Sequence, residues 1–113
     1  MKRSIARKWA QALESGEYKQ GTGQLRKGDK FCALGVLCNL HAQEYPEIAT
    51  KEKVKSRYLG ASTELPLDVM VWAGMTSSNG YISCGNNVVN MNDGLGMTFK
   101  EIAKVVRKKW AEL

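Results

Sequence analysis

Phe31-Cys32-Ala33-Leu34-Gly35-Val36-Leu37-Cys38-Asn39-Leu40-His41-Ala42 decides the fold of this chain. The segment is apolar nearly all round, and a helix of that kind belongs in the centre of a core. Gly35 costs about 1 kcal/mol against Ala inside a helix. Close approach of a neighbouring element is the expected return. Outward from this segment lie two amphipathic helices. Over 2–14, Ile5, Trp9, Ala12 and Leu13 share one face and Arg3, Arg7, Gln11 and Glu14 the other, with Ser15-Gly16 as the stop. Over 98–111, Thr98 and Glu101 form a capping-box pattern, and Phe99, Ile102, Ala103, Val106, Trp110 and Leu113 face inward. Lys100, Lys104, Arg107 and Lys108 make a basic stripe on its outer side. Residues 65–73 read as a short helix, with Pro66 in the first turn and Gly74 just past the end.

Three glycines between Gly21 and Gly28 exclude a helix there. Tyr18–Gln20 and Gln24–Arg26 read as two strands joined through Gly21-Thr22-Gly23. Tyr81–Cys84 is a short strand, and Val88–Met91 a helical turn or a strand. Residues 43–63, with Lys51, Lys53, Lys55 and Arg57, read as a surface excursion. The expected class is therefore α+β. A central helix is packed by helices 2–14, 65–73 and 98–111, with one small antiparallel sheet drawn from 18–26 and 81–84. A length of 113 residues suits one domain, 1–113. No apolar run reaches the ~20 residues of a membrane span, and the N-terminus lacks the apolar core of a signal peptide.

The net charge is +6, unevenly spread. Residues 1–30 carry eight basic and three acidic side chains, 31–97 four and six, and 98–113 five and two. Packed together, the two ends would form one positive face, suited to an anionic partner. The chain has three cysteines and one histidine. Cys38 and His41, with Cys32 and Cys84, would suffice for zinc. However, Cys32 and Cys38 point about 240° apart on a helix, and no Cys-x-x-Cys occurs. The thiols read as core hydrophobes, so no metal and no cofactor is expected. No nucleophile, phosphate-loop or zinc-protease motif is present, and no catalytic residue can be named. Asn92-Asp93-Gly94 fails the EF-hand template, and Asp93 reads as a residue that ties down its own turn.

Gly21-Thr22-Gly23 reads either as a plain turn or as a cradle whose amides approach an anion, flanked by Lys19, Arg26, Lys27 and Lys30. The candidate anion site is Lys19, Gln20, Gly21, Thr22, Gly23 and Arg26. Arg26 lies on the strand face opposite Leu25, with Lys19 brought near it across the hairpin. A guanidinium there grips phosphate or carboxylate through two parallel hydrogen bonds. A second candidate is nucleic-acid binding by the basic ends, through Lys100, Lys104, Arg107 and Lys108. In a minor version, Val88–Met91 and 98–111 form a helix-turn-helix.

Trp9–Leu25, Phe31–Asn39, Leu65–Gly74 and Met91–Ala103 together resemble a family of small proteins common in tailed-bacteriophage and prophage genomes. The likeness covers most of the chain outside 43–63. Members often carry Cys where this chain has Ala33 and Asp where it has Asn39. The resemblance implies a phage-encoded protein in the cytoplasm of a bacterial host, and it supplies no catalytic residue. Small phage proteins of this kind often disable a host component such as a defence effector, its nuclease or its nucleotide signal. The expected function is thus a non-catalytic accessory protein that binds an anionic host target, either a nucleotide signal or an acidic protein surface. Nucleic acid is the alternative partner.

Overall fold

A computed structural model describes residues 1–51 and 57–113. The central segment forms α2, Ala33–Glu44, starting two residues later than the apolar run. Phe31 is instead in a strand, and Cys32 caps the helix, its sulfur accepting from the Gly35 N–H at 3.4 Å. Gly35 has its return. A Cβ there would lie 1.7 Å from the Leu25 carbonyl oxygen, so α2 runs directly against the Leu25 backbone.

Helix α1, Arg3–Glu14, buries Ile5, Ala6, Trp9, Ala10 and Leu13. Trp9 is fully buried, and its indole N–H donates to the Ala33 carbonyl at 2.8 Å, fixing α1 to the start of α2. Helix α3 spans Pro46–Lys51. Part of the 43–63 excursion is therefore helical: α2 continues to Glu44, and Pro46 and Glu47 open a new helix where a fixed φ and an early acid are both favourable. Residues 52–56, with Lys53 and Lys55, lie outside the described residues. Helix α4, Leu67–Ala73, follows Pro66 and ends at Gly74 in the left-handed region, φ 70°. Helix α5 is Val88–Asp93. Helix α6, Phe99–Lys109, carries the expected capping box and closes in a 3-10 turn at Trp110–Glu112. α2 is flanked by α1, α3, α4 and α5, while α6 lies chiefly on α1.

The class is α+β, as expected, but the strands are arranged differently. β1 (Lys19–Gln20) is parallel to β3 (Lys30–Phe31), and β2 (Arg26–Lys27) is antiparallel to β3. The order β1-β3-β2 puts β3 between the two strands expected to form a hairpin. The tight turn is at Gly28-Asp29, with Gly28 at φ 63°. There the register pairs Lys27 with Lys30 across a two-residue loop, the length that favours such turns. Lys19 and Arg26 therefore sit on opposite edges, roughly 9–10 Å apart at two strand spacings. Residues 81–84 do not join this sheet. β4 (Tyr81–Ile82) pairs with β5 (Asn86–Asn87) in a separate hairpin. Among the described residues no helix is long and apolar enough to cross a membrane.

Candidate functional site

The six residues of the glycine turn are close in the chain, but five of them have polar groups bonded within the protein. Lys19 Nζ meets the Asp29 carboxylate at 2.9 Å, which holds the Asp29 carboxyl below its usual range. Gln20 joins β1 to the start of α6. Its Nε2 donates to Asn92 Oδ1 at 3.0 Å and to the Met97 carbonyl at 2.7 Å, and its Oε1 accepts from the Phe99 N–H at 3.1 Å. The Gly21 N–H donates to the Phe31 carbonyl. The Gly23 N–H donates to Asp93 Oδ2 at 3.1 Å. A carboxylate of the chain itself thus occupies the place an external anion would take. Arg26 Nε donates to the Gly28 carbonyl at 2.8 Å, and its guanidinium lies 4.9 Å from the centre of the Phe31 ring. Thr22 is exposed.

Behind this turn lies Asn92, 2% exposed. Its Oδ1 accepts from Gln20 and, at 3.2 Å, from the Ala33 N–H. Its Nδ2 donates to the Gly21 carbonyl and to Asp93 Oδ1. The side chain is fully satisfied, as a buried amide must be. Asn92 and Asp93 end α5 and tie it to the glycine turn, so Asp93 does more than stabilise its own loop.

The two basic ends do pack together. Arg3 and Trp110 line one cleft, while Gln20, beyond the end of α1, meets Phe99 at the start of α6. The two helices therefore lie side by side and run in opposite directions. Small Ala6 and Ala10 on α1 and Ala103 on α6 are buried, and small side chains permit close approach. Arg3, Arg7 and Arg107 rise along the junction with Lys100, Lys104 and Lys108 beside them, all exposed. A cleft of 210 Å³ opens there, lined by Arg3, Ala6, Arg7, Arg107 and Trp110.

Of the cations on this face, only Arg107 has an ion pair among the described residues. Its Nε and Nη2 donate to the two Glu14 oxygens at 2.8 and 2.9 Å. The fork raises the Arg107 pKa and holds the Glu14 carboxyl below its usual range. Arg3 and Arg7 face the cleft without a carboxylate in its lining. A concavity walled by one sign of charge focuses the field and draws counter-ions. As the sequence predicts, Arg3 and Arg7 lie on the outer face of α1 and Trp110 packs against the core, but Trp110 is only half-buried and also lines the cleft. The signal for their role was the excess charge at both ends, and it becomes a site only when α1 meets α6.

Two other concavities gather at most one basic side chain each. One, between α2 and α4, is lined by Lys2, His41, Tyr45, Leu67, Val71 and Trp72 among others. The other is bordered by Glu64, Asn79, Asn87, Asn90 and Asp93. The lone histidine, His41, is 4% exposed. Its Nδ1 is 2.7 Å from the Tyr58 hydroxyl, and burial lowers its pKa against the pull of Asp68 and Glu44. Among the described residues no three His, Cys, Asp or Glu side chains gather as a metal site. Cys32 and Cys38 are buried with raised pKa values, and Cys84 is exposed. No curated protein and no solved structure matches the chain. Residues 1–110 match the model of a family described as a domain of unknown function, DUF8296, and the chain belongs to that family.

Proposed function

We propose that this member of the DUF8296 family is a non-catalytic binding protein whose anionic partner is nucleic acid, held on the face that α1 and α6 share. The observation that supports this most is the cleft in which Arg3, Arg7 and Arg107 converge beside Trp110. Five cations on the face, Arg3, Arg7, Lys100, Lys104 and Lys108, have no ion pair among the described residues. The fold does not consume their charge. The glycine turn is the weaker candidate for the anion, because Lys19 Nζ, the Gly21 and Gly23 N–H groups and Arg26 Nε are engaged internally. The resemblance to tailed-phage proteins supports a bacterial host cytoplasm as the setting. There a phage product that covers nucleic acid would counter host defence.

Anisotropy of a labelled oligonucleotide tests the reading. Five neutralised phosphates on a single strand give a slope of about −3.5 in log K against log salt, or about 100-fold weaker binding at ~200 mM than at ~50 mM. Arg3→Ala with Arg7→Ala should flatten the slope by about 1.4, while Arg26→Ala leaves it unchanged. Absence of binding at ~50 mM salt removes the nucleic-acid reading. If the Arg26→Ala protein alone loses affinity, the glycine turn is the anion site.

A further inference from the structure

We infer that the cleft between α1 and α6 seats one nucleotide of an unpaired strand, with Arg3 and Arg7 on the phosphate and the Trp110 indole against the base. This rests on the nucleic-acid reading and names the form of nucleic acid. Three observations lead to it.

The first is composition. A phosphate site needs cations alone, whereas this cleft sets Trp110, half-buried against the core, among three arginines, of which Arg107 is held by Glu14. Among the described residues, no guanidinium is stacked on that indole. Aromatic rings interleaved with cations are the signature of single-strand binding, since every base has a face to stack.

The second is size. At 210 Å³ the cleft is below the roughly 300 Å³ at which small-molecule pockets begin. It holds one sugar–phosphate and part of a base, too little to enclose a free nucleotide. The remaining grip must come from neighbouring units of a chain. From Trp110 back to Lys100 α6 rises about 15 Å, and Lys104 and Lys100 lie along that path as exposed cations.

The third is shape. The face is two helices wide, roughly 20 Å across, against a duplex major groove about 12 Å wide. It cannot enter the groove. α5 has only six residues and makes a poor first helix for a helix-turn-helix. A base locked in a duplex stack is out of reach of Trp110, whereas an unpaired base is not.

The test uses tryptophan emission. Trp9 is fully buried, so Trp72→Phe leaves Trp110 as the indole a ligand can reach. Titration of that protein with a 12-mer of thymidylate should quench emission. The same 12-mer carrying abasic sites should bind roughly tenfold more weakly, without quenching. Trp110→Leu should bring the intact strand down to the abasic affinity and leave the abasic strand unchanged, with Trp110→Phe recovering part of the loss. Far-UV circular dichroism establishes that each variant is folded. If the Trp110→Leu protein binds the intact strand like wild type, with the salt slope preserved, the seat is refuted while the nucleic-acid reading stands. If no oligonucleotide binds at all, both fail. Equal affinity for the duplex, or competition by thymidine monophosphate at the concentration of the strand, overturns the assignment to an unpaired strand. Inorganic phosphate competing as well as the strand overturns the role of the base.

Discussion

Gly35→Ala should destabilise the protein, although in an isolated helix it would be favourable by about 1 kcal/mol. The added Cβ would sit 1.7 Å from Leu25 O and 2.7 Å from Leu25 C, against an ordinary carbon contact of about 3.5 Å. Both neighbours are backbone atoms, so no rotamer change relieves the overlap. Either α2 or the Leu25 segment must move by more than about 1 Å. That segment is anchored on both sides. Leu25 O accepts from the Cys32 N–H at 3.3 Å, Leu25 N donates to Ser62 O at 2.7 Å, and the side chain is 2% exposed. Overpacking of a core costs about 1–3 kcal/mol, and loosening the bond to Cys32 adds about 1. Set against the helix gain, the net loss is about 1–3 kcal/mol. Urea denaturation followed by circular dichroism should show a midpoint lower by about 0.5–1.5 M at unchanged slope. Gly85→Ala, at φ 83° with open space around the Cβ, pays only for backbone strain and should lose about 1 kcal/mol. If Gly35→Ala were as stable as wild type, α2 would not pack on the Leu25 backbone, and the centre of the fold would be misplaced.

Asn92→Ala deprives the Ala33 N–H and the Gly21 carbonyl of their side-chain partner, and should cost about 3 kcal/mol or more in the same assay. A wild-type midpoint would show the network to be incidental. The His41 pKa lies below 6.5 in the folded state because of burial, so the unfolded chain takes up the proton first. Stability is then full above 6.5 and declines as the pH falls towards the folded value. His41→Gln should flatten that decline, and equal pH dependence in both proteins would assign it elsewhere. Cys84 is exposed while Cys32 and Cys38 are buried with raised pKa values. A thiol reagent should therefore titrate one thiol quickly in the native protein and three in denaturant. Two fast thiols would contradict the core packing. Glu14→Gln releases Arg107 from its carboxylate fork. It should tighten oligonucleotide binding severalfold and steepen the salt slope by about 0.7; weaker binding would mean that Glu14 positions Arg107 for the ligand.

What the sequence makes legible is what its neighbours along the chain determine. The Thr98–Glu101 capping box spans three residues, and it forms as read, with Thr98 Oγ1 accepting from the Glu101 N–H at 3.2 Å. The close approach at Gly35 was legible because a glycine in an apolar helix has few other uses. The start of that helix was not, since an apolar run looks alike in a strand and in a helix. Phe31 is drawn into β3 by pairing with Gln20 and Arg26. The glycine turn misleads for the same reason. Gly21-Thr22-Gly23 carries a hairpin's local chemistry, yet the competing turn at Gly28-Asp29 is tighter, and β3 inserts between the two strands. Asn92 gives no local sign of its role, because Gln20, Gly21 and Ala33 lie 59 or more residues away.

The contrast between the two basic regions also explains why total charge is a poor guide to a binding site. In the stretch from Lys19 to Lys30, the fold supplies counter-charge and acceptors. Asp29 takes Lys19, Asp93 takes the Gly23 amide, and the Gly28 carbonyl takes Arg26. Charge spent on internal contacts makes no strong field for a partner, and an incoming phosphate would have to displace each contact. On the α1–α6 face only Arg107 is engaged, and the packing rests on the buried side of the helices, on Ala6, Ala10, Ile102, Ala103 and Val106. Arg3 and Arg7 lie exposed beside that interface, and the fold holds both at the rim of one cleft. Like charges held together repel, and folding alone gives no reason to gather them. The proposed nucleic-acid partner would neutralise them.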